Sequence, residues 1–168
     1  SADLDVNDAI QTRDGAGDPD LGAVYLYDET AHEAPPAATL ACICQQQMFL
    51  AGVSGSETNL YFSRISGYDY FKPTDYIDVE ARITAIQPLA DRVAVFTENR
   101  IGTYSPIDEI GQFAWSLSPV GTDNPDSVVV TDEGVYFARS DGLWVFDGVT
   151  SRQVTDGIDA DWEALDGT

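Results

Sequence analysis

The chain has 168 residues, of which 43% are hydrophobic and 11% aromatic, so it can bury the core of one domain and is not a disordered polar chain. It carries 29 acidic and 8 basic residues, a formal net charge of −21, which argues against a DNA-gripping face, because such a face needs clustered Lys and Arg. No apolar run approaches the ~18 residues that a membrane-spanning helix requires, so we expect no membrane span.

Aspartate is much more frequent than glutamate among the acidic residues. Asp outnumbers Glu 21 to 8, and Lys72 is the one lysine beside seven arginines. An ordinary acidic surface that keeps a protein soluble is one interpretation. Adaptation to multimolar salt is the other, because the Debye length there falls to ~3 Å or less and the repulsion among carboxylates is screened. The composition resembles that of proteins from salt-in haloarchaea and their viruses.

Residues 1–22 are predicted to form an acidic arm or loop. Within this segment Asp14, Asp18 and Asp20 lie close together among glycines, and Ca²⁺ binds six to eight oxygen ligands. These three carboxylates are the one candidate metal site, although no Glu follows at the spacing of an EF-hand. A solvated acidic arm is the alternative, and no other cofactor is expected.

Residues 23–158 are predicted to be a repeated series of β-strands. AVYLYD at 23–28 resembles the last strand of a unit, and three fuller units follow, at 39–64, 82–105 and 127–147. Each unit has three segments rich in Val, Ile, Tyr and Phe. Successive middle segments begin 45 and 42 residues apart, and a period of ~40–50 residues is typical of propeller blades.

Short turns connect the second and third segments of the later units. Asp141-Gly142 predicts a two-residue type I′ hairpin, in which both residues need a positive φ. We predict an all-β fold of about three to four antiparallel, propeller-like blades. Because ~4–8 blades close a ring, these blades would belong to a larger or multi-segment propeller. A β-sandwich is the alternative.

The end of the chain is predicted to contain one more strand and an acidic tail. Residues 152–154 begin one further strand, and residues 159–168 form an acidic C-terminal tail with a short helix. The predicted organisation is therefore an acidic arm, a series of blades over 23–158 and an acidic tail.

Catalytic chemistry is scarce in the sequence. The one histidine, His32, lies in a Pro/Ala connector, where a solvated side chain is expected, and a Ser-His-Asp or Cys-His arrangement would have to use this residue. Cys42 and Cys44 are two residues apart, so in a strand both point to one face, which suits a disulfide poorly. We expect them to be small buried side chains, and we predict that the protein is not an enzyme.

Aromatic residues in the connections, which we expect to be exposed, are candidate interface anchors, because aromatics on loops frequently mediate protein contacts. The alternative is that each ring packs over the edge of its own blade. The candidates are Tyr68, Tyr70, Phe71, Tyr76, Phe113 and Trp115.

Two stretches resemble a known family. Residues 59–105, NLYFSRISGYDYFKPTDYIDVEARITAIQPLADRVAVFTENRIGTYS, are similar to propeller modules in the tail-hub and nozzle proteins of tailed viruses. Residues 134–158, GVYFARSDGLWVFDGVTSRQVTDGI, resemble the next module. The chain is shorter than such proteins and more acidic, as expected of a haloarchaeal tailed virus. The resemblance implies a non-enzymatic, ring-forming subunit of the virion tail or neck.

That role implies particular partners and a location. The partners would be other tail or neck proteins and copies of the chain itself, with DNA only as transient cargo in a channel whose like-charged wall lets it slide. The protein would be assembled in the host cytoplasm at high salt and would reside in the virion tail. The alternative function is a halophile surface or adhesin-type binding propeller that recognises a protein or a glycan.

Overall fold

The computed structural model describes residues 34–106 and 111–155. These residues form twelve β-strands in three four-stranded sheets, and within each sheet the strands follow chain order and pair antiparallel. The predicted all-β, antiparallel fold is confirmed. The segments predicted as an arm at 1–22, a strand at 23–28 and a tail at 159–168, together with the candidate calcium ligands and His32, lie outside the described residues.

The three sheets are numbered in chain order. Sheet 1 consists of β1 (Leu40–Cys44), β2 (Gln47–Ala51), β3 (Asn59–Phe62) and β4 (Tyr76–Asp78). Sheet 2 consists of β5 (Ile83–Leu89), β6 (Arg92–Thr97), β7 (Ile101–Ser105) and β8 (Gln112–Trp115). Sheet 3 consists of β9 (Val129–Thr131), β10 (Gly134–Arg139), β11 (Gly142–Phe146) and β12 (Ser151–Gln153), and a 3₁₀ turn at Pro125–Ser127 precedes it.

Each unit has one strand more than the three apolar segments predict. All nine segments form strands, and the strand predicted at 152–154 is β12, the fourth strand of sheet 3. The sequence does not predict β4 and β8, because they have only three and four residues and lie in connections with Pro, Gly and Asp that indicate loops. Three separate sheets also rule out the two-sheet sandwich for the described residues.

Sheet 2 is buried on both of its faces. Val93 and Val95 of β6 point towards sheet 1, whereas Ala94 and Phe96 point towards sheet 3, and all four side chains are fully buried. Such a strand is apolar at every position because it has no solvent face, which explains the unbroken VAVF run. The two hydrophobic clusters of the described residues therefore lie between sheets 1 and 2 and between sheets 2 and 3.

An aromatic pair crosses each of these two interfaces. Phe49 of β2 meets Tyr104 of β7, with ring centroids 5.4 Å apart and the rings edge to face. Phe96 of β6 meets Phe137 of β10 at 5.3 Å in the same geometry. Edge-to-face pairs contribute about 0.5–1.5 kcal/mol beyond the burial of their area, so both pairs help to hold the sheets face to face.

The first strands of the three sheets are neighbours. β1 contacts β5, and β5 contacts β9. The sequences of these strands are LACIC, ITAIQPL and VVT, and none contains an acidic residue. The described carboxylates therefore lie elsewhere, in the turns, the connections and the later strands.

Two tight turns differ from what the sequence predicts. Arg139 pairs with Gly142, so the two-residue turn comprises residues 140 and 141, and the positive φ, 136°, falls on the first residue of β11. The type I′ turn predicted at Asp141-Gly142 is therefore wrong. The β1–β2 hairpin instead has positive φ at both turn residues, Gln45 at 46° and Gln46 at 61°, as a type I′ turn requires.

The connection from β8 to β9 is held tightly under the β6–β7 turn. Thr122 is buried, its amide donates to the Thr97 carbonyl at 2.9 Å, and its hydroxyl donates to the Ala138 carbonyl at 3.0 Å. The Thr84 hydroxyl donates to the Thr122 carbonyl. One residue thus links β5, the β6–β7 turn and β10, and so ties sheet 2 to sheet 3.

Candidate interaction surfaces

The six aromatic candidates occupy different environments. Tyr70 and Phe71 are only 6% and 3% exposed, so the expectation that they are exposed loop aromatics is wrong. The loop folds back on itself, because the Arg64 amide donates to the Tyr70 carbonyl at 2.9 Å and the Arg64 guanidinium lies 5.9 Å from the Tyr70 ring centre. Tyr68, in the same loop, is exposed.

The other three candidates lie on strands. Phe113 and Trp115 of β8 are half-buried, pack edge to face with centroids 4.9 Å apart, and cover the cluster between sheets 1 and 2. Phe113 also lies directly over Gly102 of β7, where a side chain would clash with its ring. Tyr76 of β4 is exposed and stacks obliquely on Tyr61 at 5.4 Å. The structure brings Phe113 and Trp115 together and places Tyr76 on a different face.

Sheet 1 has an outer face, the one that points away from sheet 2. Strand alternation and register place a row across its four strands: Ala41 pairs with Leu50, Leu50 with Tyr61, and Tyr61 with Tyr76. The full set of outer-face residues also contains one carboxylate and comprises Ala41, Ile43, Met48, Leu50, Asn59, Tyr61, Tyr76 and Asp78.

Sheet 3 has a similar outer face on the opposite side of the stack. Its central row joins Val129, Tyr136, Val145 and Arg152 across the four strands. The complete set of outer-face residues is Val129, Thr131, Tyr136, Ala138, Leu143, Val145 and Arg152. Contiguous apolar surface of this kind marks protein contacts, so the two outer faces are the principal candidate interaction surfaces.

The exposure of individual apolar residues supports this interpretation at the first strand of each face. Ile43 on the outer face of sheet 1 is 52% exposed, and Val129 on the outer face of sheet 3 is 57% exposed, whereas Leu50 and Val145 in the middle of the two rows are only 7% and 3% exposed. The Tyr136 hydroxyl on the sheet 3 face donates to the Glu133 carboxylate at 2.7 Å, and this hydrogen bond raises the Tyr136 pKa. Tyr136 is therefore a neutral donor at ordinary pH, with a ring directed away from sheet 2. Sequence reasoning missed both faces, because alternation marks a face only once the register is known.

A shallow cavity of about 360 Å³ lies where the β4–β5 connection meets the β6–β7 turn. Its wall includes Arg82, Arg100 and Trp115, with the Arg100 guanidinium 5.7 Å from the Trp115 ring centre. Neither arginine forms an ion pair with a carboxylate of the described residues, although acidic residues far outnumber basic ones. Glu80 and Glu98 line the same wall. These groups can bind a hydroxyl-rich ligand that carries a carboxylate.

A second cavity, of about 350 Å³, lies between the β5–β6, β9–β10 and β11–β12 turns and is mainly acidic. Its Asp147 carboxylate already accepts hydrogen bonds from the amides of Val149 and Thr150, both at 2.8 Å. These backbone donors, that of Thr150 first, lower the Asp147 pKa. The carboxylate closes the β11–β12 turn, so its role is structural.

Reactive groups are few in the part of the chain that the structure describes. Cys42 and Cys44 of β1 are free thiols that point into the cluster between sheets 1 and 2. Burial, with a smaller contribution from Cys44, raises the Cys42 pKa to about 12, and burial also raises the Cys44 pKa. Thiols with raised pKa are poor nucleophiles and poor metal ligands. Within residues 34–106 and 111–155, no group of His, Cys, Asp and Glu is arranged to hold a metal ion.

Similarity to known proteins does not identify the molecule: neither protein-family models nor curated proteins give a match to this chain. Among the described residues, no helix is both long and apolar enough to cross a membrane.

Proposed function

We propose that the protein is a non-enzymatic structural subunit of the tail or neck of a tailed virus, resembling tail-hub and nozzle proteins. The observation that carries the proposal is the architecture: three consecutive four-stranded meanders stack face to face through hydrophobic clusters. The two stretches that resemble tail modules, 59–105 and 134–158, span parts of all three sheets. The surfaces left at the ends of the stack are apolar, as a subunit of a larger assembly needs.

The proposal includes a propeller arrangement of the sheets. In a propeller, four-stranded sheets pack radially around a central axis. The adjacency of β1, β5 and β9 supports that arrangement, with these first strands innermost and β4, β8 and β12 at the rim. The inner strands carry no acidic residue. In this arrangement they therefore do not form the acidic channel wall that the net charge suggested for DNA passage.

A scaffold role is also supported by the chemistry of the described residues. The cysteines are buried with raised pKa, and the Asp147 carboxylate is engaged in closing a turn. The strong acidity fits a scaffold that works at high salt, where screening shortens the range of repulsion to a few ångströms. The proposed location is accordingly the tail of a virus of a salt-loving host.

Virion location is directly testable. Antibodies raised against the purified chain should label the tails of density-purified particles in immunogold electron microscopy, and its peptides should appear in the mass spectrum of those particles. Labelling confined to the host cell surface, with none on particles, would refute the proposal and favour the alternative role.

That alternative is a binding propeller, and the cavity beside Trp115 is the observation that favours it. The two guanidinium groups could bind the carboxylate of an acidic sugar, while Glu80 and Glu98 accept from its hydroxyls. Titration of glucuronate into the protein in molar KCl, followed by Trp fluorescence, tests this function. Saturable binding that Arg82→Gln and Arg100→Gln both abolish would support it, and an unchanged spectrum would exclude glucuronate-type ligands.

A further inference from the structure

We infer that the outer face of sheet 3 in one copy of the chain packs against the outer face of sheet 1 in a second copy. The inference rests on the proposed scaffold function and gives it a specific partner, an identical chain. The contact would repeat, between molecules, the packing that joins consecutive sheets within each molecule.

The order of the sheets determines which faces can meet. Sheet 2 uses one face to pack on the sheet before it and the other to pack on the sheet after it. The outer face of sheet 1 corresponds to the face of sheet 2 that packs on the preceding sheet. The outer face of sheet 3 corresponds to the face of sheet 2 that packs on the following sheet. A second copy whose sheet 1 follows sheet 3 therefore continues the stack in the same sense, whereas two identical faces brought together would not.

The aromatic residues on these faces follow the pattern of the internal interfaces. On the faces that pack on a following sheet, the second strand supplies Phe49 in sheet 1 and Phe96 in sheet 2, and Tyr136 is on the matching face of sheet 3. Tyr104 of the third strand receives Phe49. Tyr61 is on the third strand of sheet 1, on the face that points away from sheet 2. A continued stack would therefore bury Tyr136 of one copy and Tyr61 of the other in the same interface.

The charges on the two faces are complementary. Each face carries one charged strand residue, and both residues lie on fourth strands: Arg152 on β12 and Asp78 on β4. In a continued stack both residues lie on the same side of the interface, that of the fourth strands, so their opposite charges attract. In a chain with only 8 basic residues against 29 acidic ones, a single arginine at this position favours an acidic partner over a repeat of its own face.

Two copies are enough to close the stack. The described residues of each copy contribute three sheets, so those of two copies bring together six, and propellers close with about four to eight. Three copies would exceed that range. The expected assembly is a closed dimer with two equivalent contacts, each between a sheet 3 and a sheet 1.

Sedimentation in molar KCl tests the assembly with the unmodified chain. We expect a dimer, because salt screens the −21 charge on each copy. Ile43→Asp on one face and Val129→Asp on the other should each yield monomers, with dimerisation weakened about 100-fold or more, because a buried carboxylate without a partner is strongly unfavourable. Leu117→Asp is the control, since Leu117 is 82% exposed and lies on neither face.

Mixing the two variants distinguishes unlike faces from like faces. The Ile43→Asp chain keeps an intact sheet 3 face, and the Val129→Asp chain keeps an intact sheet 1 face, so the mixture should form a one-to-one dimer through a single contact. A fluorophore on one variant reports that species. If either variant dimerised alone as well as the wild type, the pairing of unlike faces would be wrong.

The unmodified chain provides a result that does not depend on the folding of any variant. A wild-type monomer at every protein concentration in molar KCl overturns the inference. A monomer that is nevertheless found in virus tails would overturn the pairing and leave the proposed function in place. A dimer that is absent from virus particles would overturn the proposed function and leave the pairing in place.

Discussion

Gly121 is the position at which the smallest possible substitution should have the largest effect on folding. It precedes Thr122 in the connection that passes under the β6–β7 turn, and it is buried. A Cβ atom there would overlap the Thr97 carbonyl oxygen and would lie 2.7 Å from the Arg100 amide nitrogen. All of the nearby atoms belong to backbone, so no flexible side chain can move aside.

The cost of Gly121→Ala follows from these contacts. Overpacking a closely packed site costs roughly 1–3 kcal/mol, and displacing the chain weakens the 2.9 Å hydrogen bond from the Thr122 amide to the Thr97 carbonyl, which is worth about 1 kcal/mol. We expect the free energy of unfolding to fall by about 2–4 kcal/mol, which lowers the melting temperature by roughly 5–15 °C for a chain of this size.

Thermal unfolding followed by circular dichroism in molar KCl measures the effect. Gly67→Ala is the matched control, because a Cβ at Gly67 meets its nearest neighbour at an ordinary 3.5 Å. It should melt within about 2 °C of the wild type, since surface substitutions rarely change stability by more than 0.5 kcal/mol. If Gly121→Ala also melted at the wild-type temperature, the close passage of the connection under the β6–β7 turn would be wrong.

Three further predictions concern charge and reactivity. The melting temperature should rise steeply with KCl concentration because repulsion among the carboxylates is screened; a flat response would remove the interpretation as a high-salt protein. Asp147→Asn should destabilise the protein at neutral pH, because the native carboxylate accepts two amide hydrogen bonds that lower its pKa. A lowered native pKa gives stability that is present above the unfolded pKa and lost as the pH falls through the native one, so the acid melting curves of variant and wild type should converge, and curves that stay apart in strong acid would contradict this assignment. Cys42 and Cys44 should resist iodoacetamide at pH 8 in the folded protein and react after denaturation, because burial raises both pKa values; rapid alkylation of native protein, followed by mass spectrometry, would show that β1 is not packed as described.

Much of the fold follows from the amino-acid pattern. The VAVF run of β6 and the repeated segments of Val, Ile, Tyr and Phe indicate buried strands, and the period of the units predicts sheets of equal size. β4, with the sequence YID, escapes prediction because three residues are too few to show alternation. The type I′ turn at Gln45 and Gln46 is not predicted for a different reason. Glutamine seldom adopts a positive φ, so neither residue indicates such a turn in the sequence.

The interaction surfaces could be predicted only in part. The sequence shows that the loop containing Tyr70 and Phe71 is aromatic, but whether those rings are exposed depends on how the loop folds back on Arg64. The pairing of Ala41, Leu50, Tyr61 and Tyr76 across sheet 1 depends on strand register, and a shift of one residue would place the other set of side chains on that face.

The middle sheet has a consequence for how such a chain can change in length. Because sheet 2 presents one kind of face to its predecessor and the other kind to its successor, a gene duplication that inserts another copy of this unit would find suitable neighbours on both sides at once. Lengthening by a whole unit of 42–45 residues would then require no new type of contact, as in other arrays in which each repeat touches only its neighbours. Loss of a whole unit would be tolerated for the same reason, whereas loss of half a unit would leave unpaired strand edges.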